Sequence, residues 1–557
     1  MLKTILNSLA MHVMVIKGNA SLRRLEKNSK HPAKTNEALL KKILRRNKNT
    51  LYGKEHGFAD IRSVEDFRSK VPVSGYEDFA PYIERVIKGE SKLLTADKIL
   101  GYSRTSGSSG VPKYIPATSA SLKAYVNYTW TRALALGAAK LREEGKKYRP
   151  GRGVFLSPAT NETLPDGTLC SNIAEIGARR YGVFYPFILT IPGREIFDVH
   201  DGDYIYCIYR FALSDERATF VFSVFFSVNV SQLAYLKDNW EVLVSDIEKG
   251  VISPEVKISD ALRKRLEPKL RPMPERAAYL RRQFEQGFDG TILKRLWPDM
   301  TVLCGIGNAS FKPAADALRR SSDGIPFDFS IYGASEALVA ACFRLESTDM
   351  QLLVDSCYME FVPYGETPER YLGVEELELG GQYELLITTQ AGLYRYRLKD
   401  VIEVKGFRNN CPLISFVFRK GQLFNFAGEK FSEEDAQKSM GMFSERHGVT
   451  VDKWLFYSDD SVVPSRYALA VEGEAFETIE QNIDELEGIM GECNKRYTSQ
   501  REKSFISRMI VVRQKDGTHE AWAKSRVKSG ASVSQLKPVH WLDNDEKKEF
   551  FLSRLAD

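Results

Sequence analysis

The sequence predicts a two-part α/β protein: a large N-terminal portion of layered α/β structure with a β-rich end, followed by a small C-terminal α/β domain. Three observations carry this expectation. At 557 residues and 43% hydrophobic composition, the chain exceeds the size at which one core keeps growing, so at least two domains follow. Between residues 153 and 240, β-rich runs (GVFLSP, YIYCIYRFAL, ATFVFSVFF) alternate with polar breaks and lead into LAYLKDNWEVLVSDIEKG, an amphipathic helix stopped at Gly250. After Phe416 the chain holds a further set of strand-like (RYALAVEG, RMIVVRQ) and helix-like (FETIEQNIDELEGIMGECNKRY) segments, enough for a small domain. The boundary is placed near Arg419, giving domains 1–418 and 419–557.

The elements can be taken in order. Leu2 to Ile16, interrupted by Lys3, Asn7 and His12, reads as an amphipathic first helix rather than a secretory signal. LLKKILRRN has helical spacing, NTLYGKEHGF breaks the pattern, and SVEDFRSKVP opens a capped helix. At Lys98 to Thr118 the texture changes to a Gly- and Ser-crowded loop between apolar flanks. MTVLCGIG and FDFSIYGASEALVAA each suggest a strand running into a turn and then a helix; QYELLITTQAGLYRYRLKDVIEVKGF suggests two strands joined at Ala391 and Gly392. Beyond Phe416, Ser432 followed by Glu433, Glu434 and Asp435 marks a helix start.

Bulk properties narrow the classes of function. The net charge of +6, from 79 basic and 73 acidic residues, is small for this length and argues for neither nucleic acid nor membrane. The basic stretch Lys257 to Arg282 reads as a solvated helical face. The longest apolar run, Ala218 to Val228, is about half the ~20 residues of a membrane helix and is assigned to the core. Seven cysteines, odd in number and without a CxxC pair, predict a reduced, cytoplasmic setting.

Three segments carry chemistry. Thr105 to Lys113, TSGSSGVPK, combines hydroxyls, glycines that admit close backbone approach, and a cation, a set suited to phosphate oxygens. It lacks the GK[ST] ending of a Walker loop, and Gly/Ser loops also serve as plain connections, so composition alone leaves both readings open. IYGASEA places Tyr332, Ser335 and Glu336 after a strand, where a ring could face a base and a carboxylate a phosphate-bound metal; an ordinary strand end with an exposed Glu fits as well. YRYRLKDVIEV sets Asp400 at the end of a strand on which Tyr394, Arg395, Tyr396 and Arg397 alternate faces; an Asp there can hold two ribose hydroxyls or simply form a turn. GIGNAS, Gly305 to Ser310, lacks the third glycine of a dinucleotide fingerprint and reads as a tight turn.

These segments occur together and in order with NTLYGKEHGF, FRSKVPVSGYEDFAPYIERVIKGE, WEVLVSDIEKG, LWPDM, MEFVP and GEKFSEEDA. On these residues the sequence resembles, over nearly its whole length, the Gretchen Hagen family of acyl acid amido synthetases, a branch of the adenylate-forming ligases. The resemblance implies a large adenylate-forming domain with a small mobile lid. It implies an enzyme that uses ATP and Mg2+ to turn a carboxylic acid into an acyl adenylate, releasing pyrophosphate, and passes the acyl group to an amine, an amino acid. By the same resemblance Ser106, Ser108, Ser109 and Lys113 lie in the phosphate loop. Tyr332 packs against adenine, Ala334 and Ser335 belong to the same nucleotide site, the catalytic Glu336 ligates Mg2+, and Asp400 holds the ribose hydroxyls. Arg419 falls at the interdomain hinge, and Lys537 in GASVSQLKPVH matches the C-terminal lysine that swings to the acyl phosphate.

Two positions depart from the pattern. Lys399 stands where the family has Gly before the aspartate, and the LKPVH ending has its Pro one position early and His540 in place of Arg. Aromatic density suggests that a helix Ser121 to Leu136 and the run Tyr204 to Phe226 line the acyl pocket. Two other functions are compatible with the sequence: a ligase transferring to a thiol such as coenzyme A, and a nucleotide-binding scaffold without turnover.

Overall fold

The computed structural model describes residues 2–105, 113–156, 162–171, 173–193, 196, 203–307, 312–329, 331–419, 423–424, 429, 431–459, 461–462, 465–502, 506–528, 538–542 and 545–556, and every structural statement below refers to these. The fold is mixed α/β, with a large N-terminal and a smaller C-terminal part. Two compact units divide the chain: the larger holds Met1–Thr105, Lys113–Leu398 and Glu403–Ser415, and the smaller is built mainly from Phe416–Asp557. No helix among the described residues is long and apolar enough to cross a membrane.

Three sheets organise the larger unit. One is fully parallel, in the order Arg152–Leu156, Ala218–Phe225, Val302–Ile306, Phe327–Asp328. Its central strand is apolar on both faces, as parallel strands covered by helices must be. A second sheet pairs Ile99–Thr105 with Lys113–Thr118 in antiparallel register, Thr105 opposite Lys113. The third has seven strands, running from Tyr358–Pro363 through Gln382–Thr388, Tyr396–Arg408, Cys411–Arg419, Met350–Leu352 and Leu338–Cys342 to Ile331–Gly333.

The helices show why the chain folds locally as it does. Ser63 caps Val64–Lys70, accepting from the Asp66 amide while the Asp66 carboxylate accepts from the Ser63 amide, a reciprocal arrangement that satisfies two otherwise orphaned donors. The helix Phe226–Lys249 ends as expected at Gly250, whose φ of +76° suits a residue without a side chain. The first helix is longer than Leu2 to Ile16, running to Lys30; it buries Met11 and Leu25 but leaves Ile5, Leu9, Val13 and Ile16 exposed.

Several expectations need correction. YIYCIYRFAL is not a strand but lies in the helix Asp203–Ser214, in which Tyr204, Ile208, Phe211 and Ala212 are buried along with their neighbours. Its tyrosines, isoleucines and phenylalanine are residues that strands favour, but nearly every one is buried in a helix, where packing outweighs that local preference. Ser121 to Leu136 is two helices, Ser119–Tyr128 and Trp130–Glu143, broken at Thr129 (φ −102°, ψ −105°). The stretch after Glu336 is a strand, Leu338–Cys342, and not a helix. In the basic stretch, Arg276 is buried and donates to the carbonyls of Leu213 and Leu296, so that face is not wholly solvated.

The smaller unit centres on a three-stranded sheet in which Arg466–Glu472 runs antiparallel to Trp454–Asp459 and parallel to Ser507–Gln514. Both faces are covered. Trp454, Phe456, Leu469 and Val471 enter one cluster with Phe443, Ile489 and Tyr497; Leu455 and Ala470 enter another with Trp522 and Phe551, the alternation of a strand. Ser432 caps the helix Glu433–His447 as predicted. The helical stretch from Phe476 onward is split at Asn482 and Asn494 into Ala475–Gln481, Ile483–Cys493 and Lys495–Glu502.

Candidate active site

The IYGASEA segment is a hairpin turn. Tyr332 and Ala340 sit opposite each other in the ladder, and the Ala334 amide donates to the Ala337 carbonyl at 2.9 Å, closing the turn around Ser335 and Glu336. Tyr332 is buried, while Ala334, Ser335 and Glu336 are half-buried at the tip. The hairpin rests on Leu25, Tyr125, Tyr128 and Leu353.

Two tyrosines grip this turn from different elements. Tyr125, from the helix that follows strand Lys113–Thr118, donates to the Ala334 carbonyl at 2.6 Å. Burial, reinforced by the Glu336 charge, pushes its phenol well above the ordinary range, so it remains a donor. Tyr396 donates to Glu336 Oε1 at 3.2 Å. The structure thus brings Tyr332, Ala334, Ser335 and Glu336 onto one hairpin and adds Tyr125 and Tyr396, whose part in holding it no motif marks.

Asp400 lies on the same strand as Tyr396, four residues further along, and is buried. It is inside a strand that begins at Tyr396 and continues to Arg408, not at a strand end; Tyr394 and Arg395 precede the strand. The residue before it, Lys399, is exposed with φ +65°, the left-handed region that glycine occupies without strain. Side-chain alternation slips there: Leu398 and Asp400 are buried, and so are Val401 and Ile402.

Lys113 sits on another sheet. Its ammonium lies 5.2 Å from the centre of the Tyr76 ring and 4.0 Å from the exposed Glu77 carboxylate. Tyr76 also accepts from the Tyr114 amide at 2.9 Å. Tyr76 opens the helix Tyr76–Ile87, whose Phe79 meets the Tyr396 ring at 6.2 Å, so one helix touches both the Lys113 strand and the Tyr396 strand. Arg419 is the last residue of strand Cys411–Arg419. Ser106, Ser108, Ser109 and Lys537 lie outside the described residues, as do Asn308 to Ser310 of the GIGNAS turn.

The residue before Tyr396 belongs to a buried set of three charges. Glu360 lies between two guanidiniums, Arg68 Nε on Oε1 and Arg395 Nε on Oε2, both at 3.0 Å. Arg395 also donates to the carbonyls of Arg68 and Val71, and has φ +44°. Ser74 pairs its backbone across the same point, donating to the Arg395 carbonyl and accepting from the Arg397 amide.

His540 is an uncharged core ring. It stacks on Trp454 at 4.0 Å, with Nδ1 3.0 Å from the Trp454 carbonyl oxygen, and burial lowers its pKa to about 4. Among the described residues no group of three or more His, Cys, Asp or Glu could hold a metal by itself. One half-buried carboxylate is nevertheless the donor that Mg2+ takes from a protein when substrate phosphates and water supply the other oxygens, and Glu336 fits that part.

This architecture is that of the acyl acid amido synthetases. The solved GH3.15 acyl acid amido synthetase superposes with a TM-score of 0.81 over 96% of each chain at 24% identity. The chain belongs to the GH3 family: the GH3 family N-terminal domain matches residues 21–327, the central domain 350–419 and the C-terminal domain 434–546. Among its relatives are a 4-substituted benzoates–glutamate ligase of Arabidopsis thaliana, 27% identical over 90% of this chain and 91% of the relative. A jasmonoyl–L-amino acid synthetase of Oryza sativa subsp. japonica is 26% identical over 95% of both chains.

Proposed function

We propose that this chain is an ATP-dependent acyl acid amido synthetase, activating a carboxylic acid as its adenylate and conjugating it to an amino acid. The observation that carries the reading is the Glu336 carboxylate, held at a pinned hairpin turn in a chain of the GH3 family. The relatives conjugate benzoates to glutamate and a jasmonoyl group to L-amino acids, which supports an organic acid with an apolar body as the first substrate and an amino acid as the second.

The chemistry proceeds in two steps. The carboxylate oxygen attacks the α-phosphorus of ATP, and the bond to the β-phosphate breaks, releasing pyrophosphate. The neutral amine then attacks the acyl carbon; the carbon–nitrogen bond forms, AMP leaves, and the amine surrenders a proton. A carboxylate is a poor electrophile because its charge repels nucleophiles, whereas its mixed anhydride has AMP as a good leaving group. No side-chain nucleophile is required, and catalysis is positioning and charge neutralisation.

In this reading Ser106, Ser108, Ser109 and Lys113 hold phosphate, Tyr332 packs against adenine with Ala334 and Ser335 beside it in the nucleotide site, and Asp400 takes the ribose hydroxyls. Glu336 holds Mg2+, which supplies positive charge to the phosphates when bound. Arg419 serves as the hinge of a C-terminal domain beginning there, and Lys537 as the C-terminal lysine that meets the acyl phosphate. Six of the seven cysteines are buried, the placement of reduced core thiols, which supports a reducing cytoplasmic setting.

The test is acid-dependent pyrophosphate release with ATP and Mg2+ across a panel of carboxylic acids, with and without pooled amino acids, with products identified by mass. An amide product establishes the ligase and both substrates. A thioester formed when coenzyme A is added, with no amide, would move the chain to another acceptor class.

A further inference from the structure

We infer that Tyr396 is a positioning residue that sets the Glu336 carboxylate for the metal-bound nucleotide, and that the buried Arg68–Glu360–Arg395 ion pair holds Tyr396 in place. The inference rests on the reading of Glu336 as the Mg2+ ligand.

The argument begins at the backbone. Arg395 occupies the left-handed region, unfavourable for a residue with a side chain, and such a conformation persists when its surroundings over-determine it. Here they do. The guanidinium bonds Glu360 and two carbonyls, its own amide donates to Thr388 Oγ1 at 2.8 Å, and Ser74 fixes the peptide groups on either side of Tyr396. This conformation sets the direction in which strand Tyr396–Arg408 starts, and so where the Tyr396 ring leaves the backbone.

The ring is buried and packs against Phe79, leaving its hydroxyl on Glu336 Oε1. A hydroxyl donated to one carboxylate oxygen fixes the rotation of the group and directs the other oxygen elsewhere. Tyr125 fixes the backbone of the same turn through Ala334, so carboxylate and turn are held independently. A glutamate on a hairpin tip would otherwise sample several rotamers, and ordering it beforehand lowers what metal binding must supply.

The test uses the full chain and Mn2+ in place of Mg2+. Electron paramagnetic resonance would measure Mn2+ binding to the protein with α,β-methylene-ATP. Metal-free nucleotide affinity and thermal unfolding would be measured alongside. Tyr396→Phe keeps the ring, so metal-free nucleotide affinity and unfolding should match the parent while Mn2+ binding weakens about tenfold, the lower end of the scale of one hydrogen bond to a charged group. In a Glu336→Gln background the same substitution should change nothing further. Unchanged Mn2+ affinity in Tyr396→Phe, an equal loss in both backgrounds, or loss of cooperative unfolding would each overturn the positioning role. Wild-type Mn2+ affinity in Glu336→Gln alone would instead remove Glu336 as the metal ligand, whatever Tyr396 does.

Discussion

Lys399 and His540, the two departures from the family pattern, have separate physical accounts. Lys399 holds the left-handed backbone where the family has glycine, a conformation costing a residue with a side chain about 1–2 kcal/mol. Glycine returns part of that through its greater freedom when unfolded, so Lys399→Gly should stabilise the protein by about 0.5–1 kcal/mol in urea unfolding. His540 is buried as a neutral ring with its pKa lowered to about 4, so from pH 6.5 downward the unfolded chain binds a proton that the folded chain does not. Stability fully present above that range is lost as pH falls toward 4, with His519, whose pKa burial also lowers, contributing in the same direction. His540→Phe retains a ring against Trp454, and between pH 7 and 5 its stability should fall by about 2 kcal/mol less than that of the parent. Equal falls would show that the ring is not what titrates. That Lys399 and His540 are exceptional was legible in the sequence; the positive φ and the stacking are tertiary facts that no residue type announces.

At the scale of elements, Glu360 ties the helix Val64–Lys70 to the strand Tyr358–Pro363 through Arg68, and to the start of the Tyr396 strand through Arg395. Removing one member of a buried ion pair strands the other charge, so Glu360→Ala should lower stability by about 3–5 kcal/mol in denaturant unfolding. A loss near zero would mean that water replaces the carboxylate. Elements whose signals are local were legible: the caps at Ser63 and Ser432, the stop at Gly250 and the apolar strand Ala218–Phe225. Those decided by packing were not. The Asp203–Ser214 helix is made of residues that strands favour and is helical by its burial, and the break at Thr129 has no proline or glycine to mark it. Tyr125 and Tyr396 were missed for a related reason, since each acts through a partner about 60 or more residues away, which spacing along the chain does not reveal.

At the scale of the molecule, the C-terminal unit has the marks of an independently folding piece. Its sheet is covered on both faces by clusters drawn from within Phe416–Asp557. A fragment of those residues should therefore give a cooperative thermal transition by circular dichroism; a featureless, non-cooperative melt would show that its core needs the rest of the chain. The division into a larger and a smaller α/β part was visible in the order of strand-like and helix-like segments, because each part repeats the alternation on its own. The seven-strand order of the large sheet was not, because ladder neighbours such as Met350–Leu352 and Cys411–Arg419 are far apart in the chain.

The strand that starts at Tyr396 works as a ruler. Asp400 stands four positions beyond the Tyr396 whose hydroxyl meets Glu336, with the left-handed turn of the backbone at Lys399 between them. An insertion or deletion of one residue between them would shift which residue falls at that left-handed position and which side chains follow it inward, whereas exchanging one apolar residue for another at Leu398 would leave both marks where they are. Over this interval the number of residues is therefore held more strictly than their identity, and drift in a lineage of such chains would accumulate as substitutions and almost never as gaps.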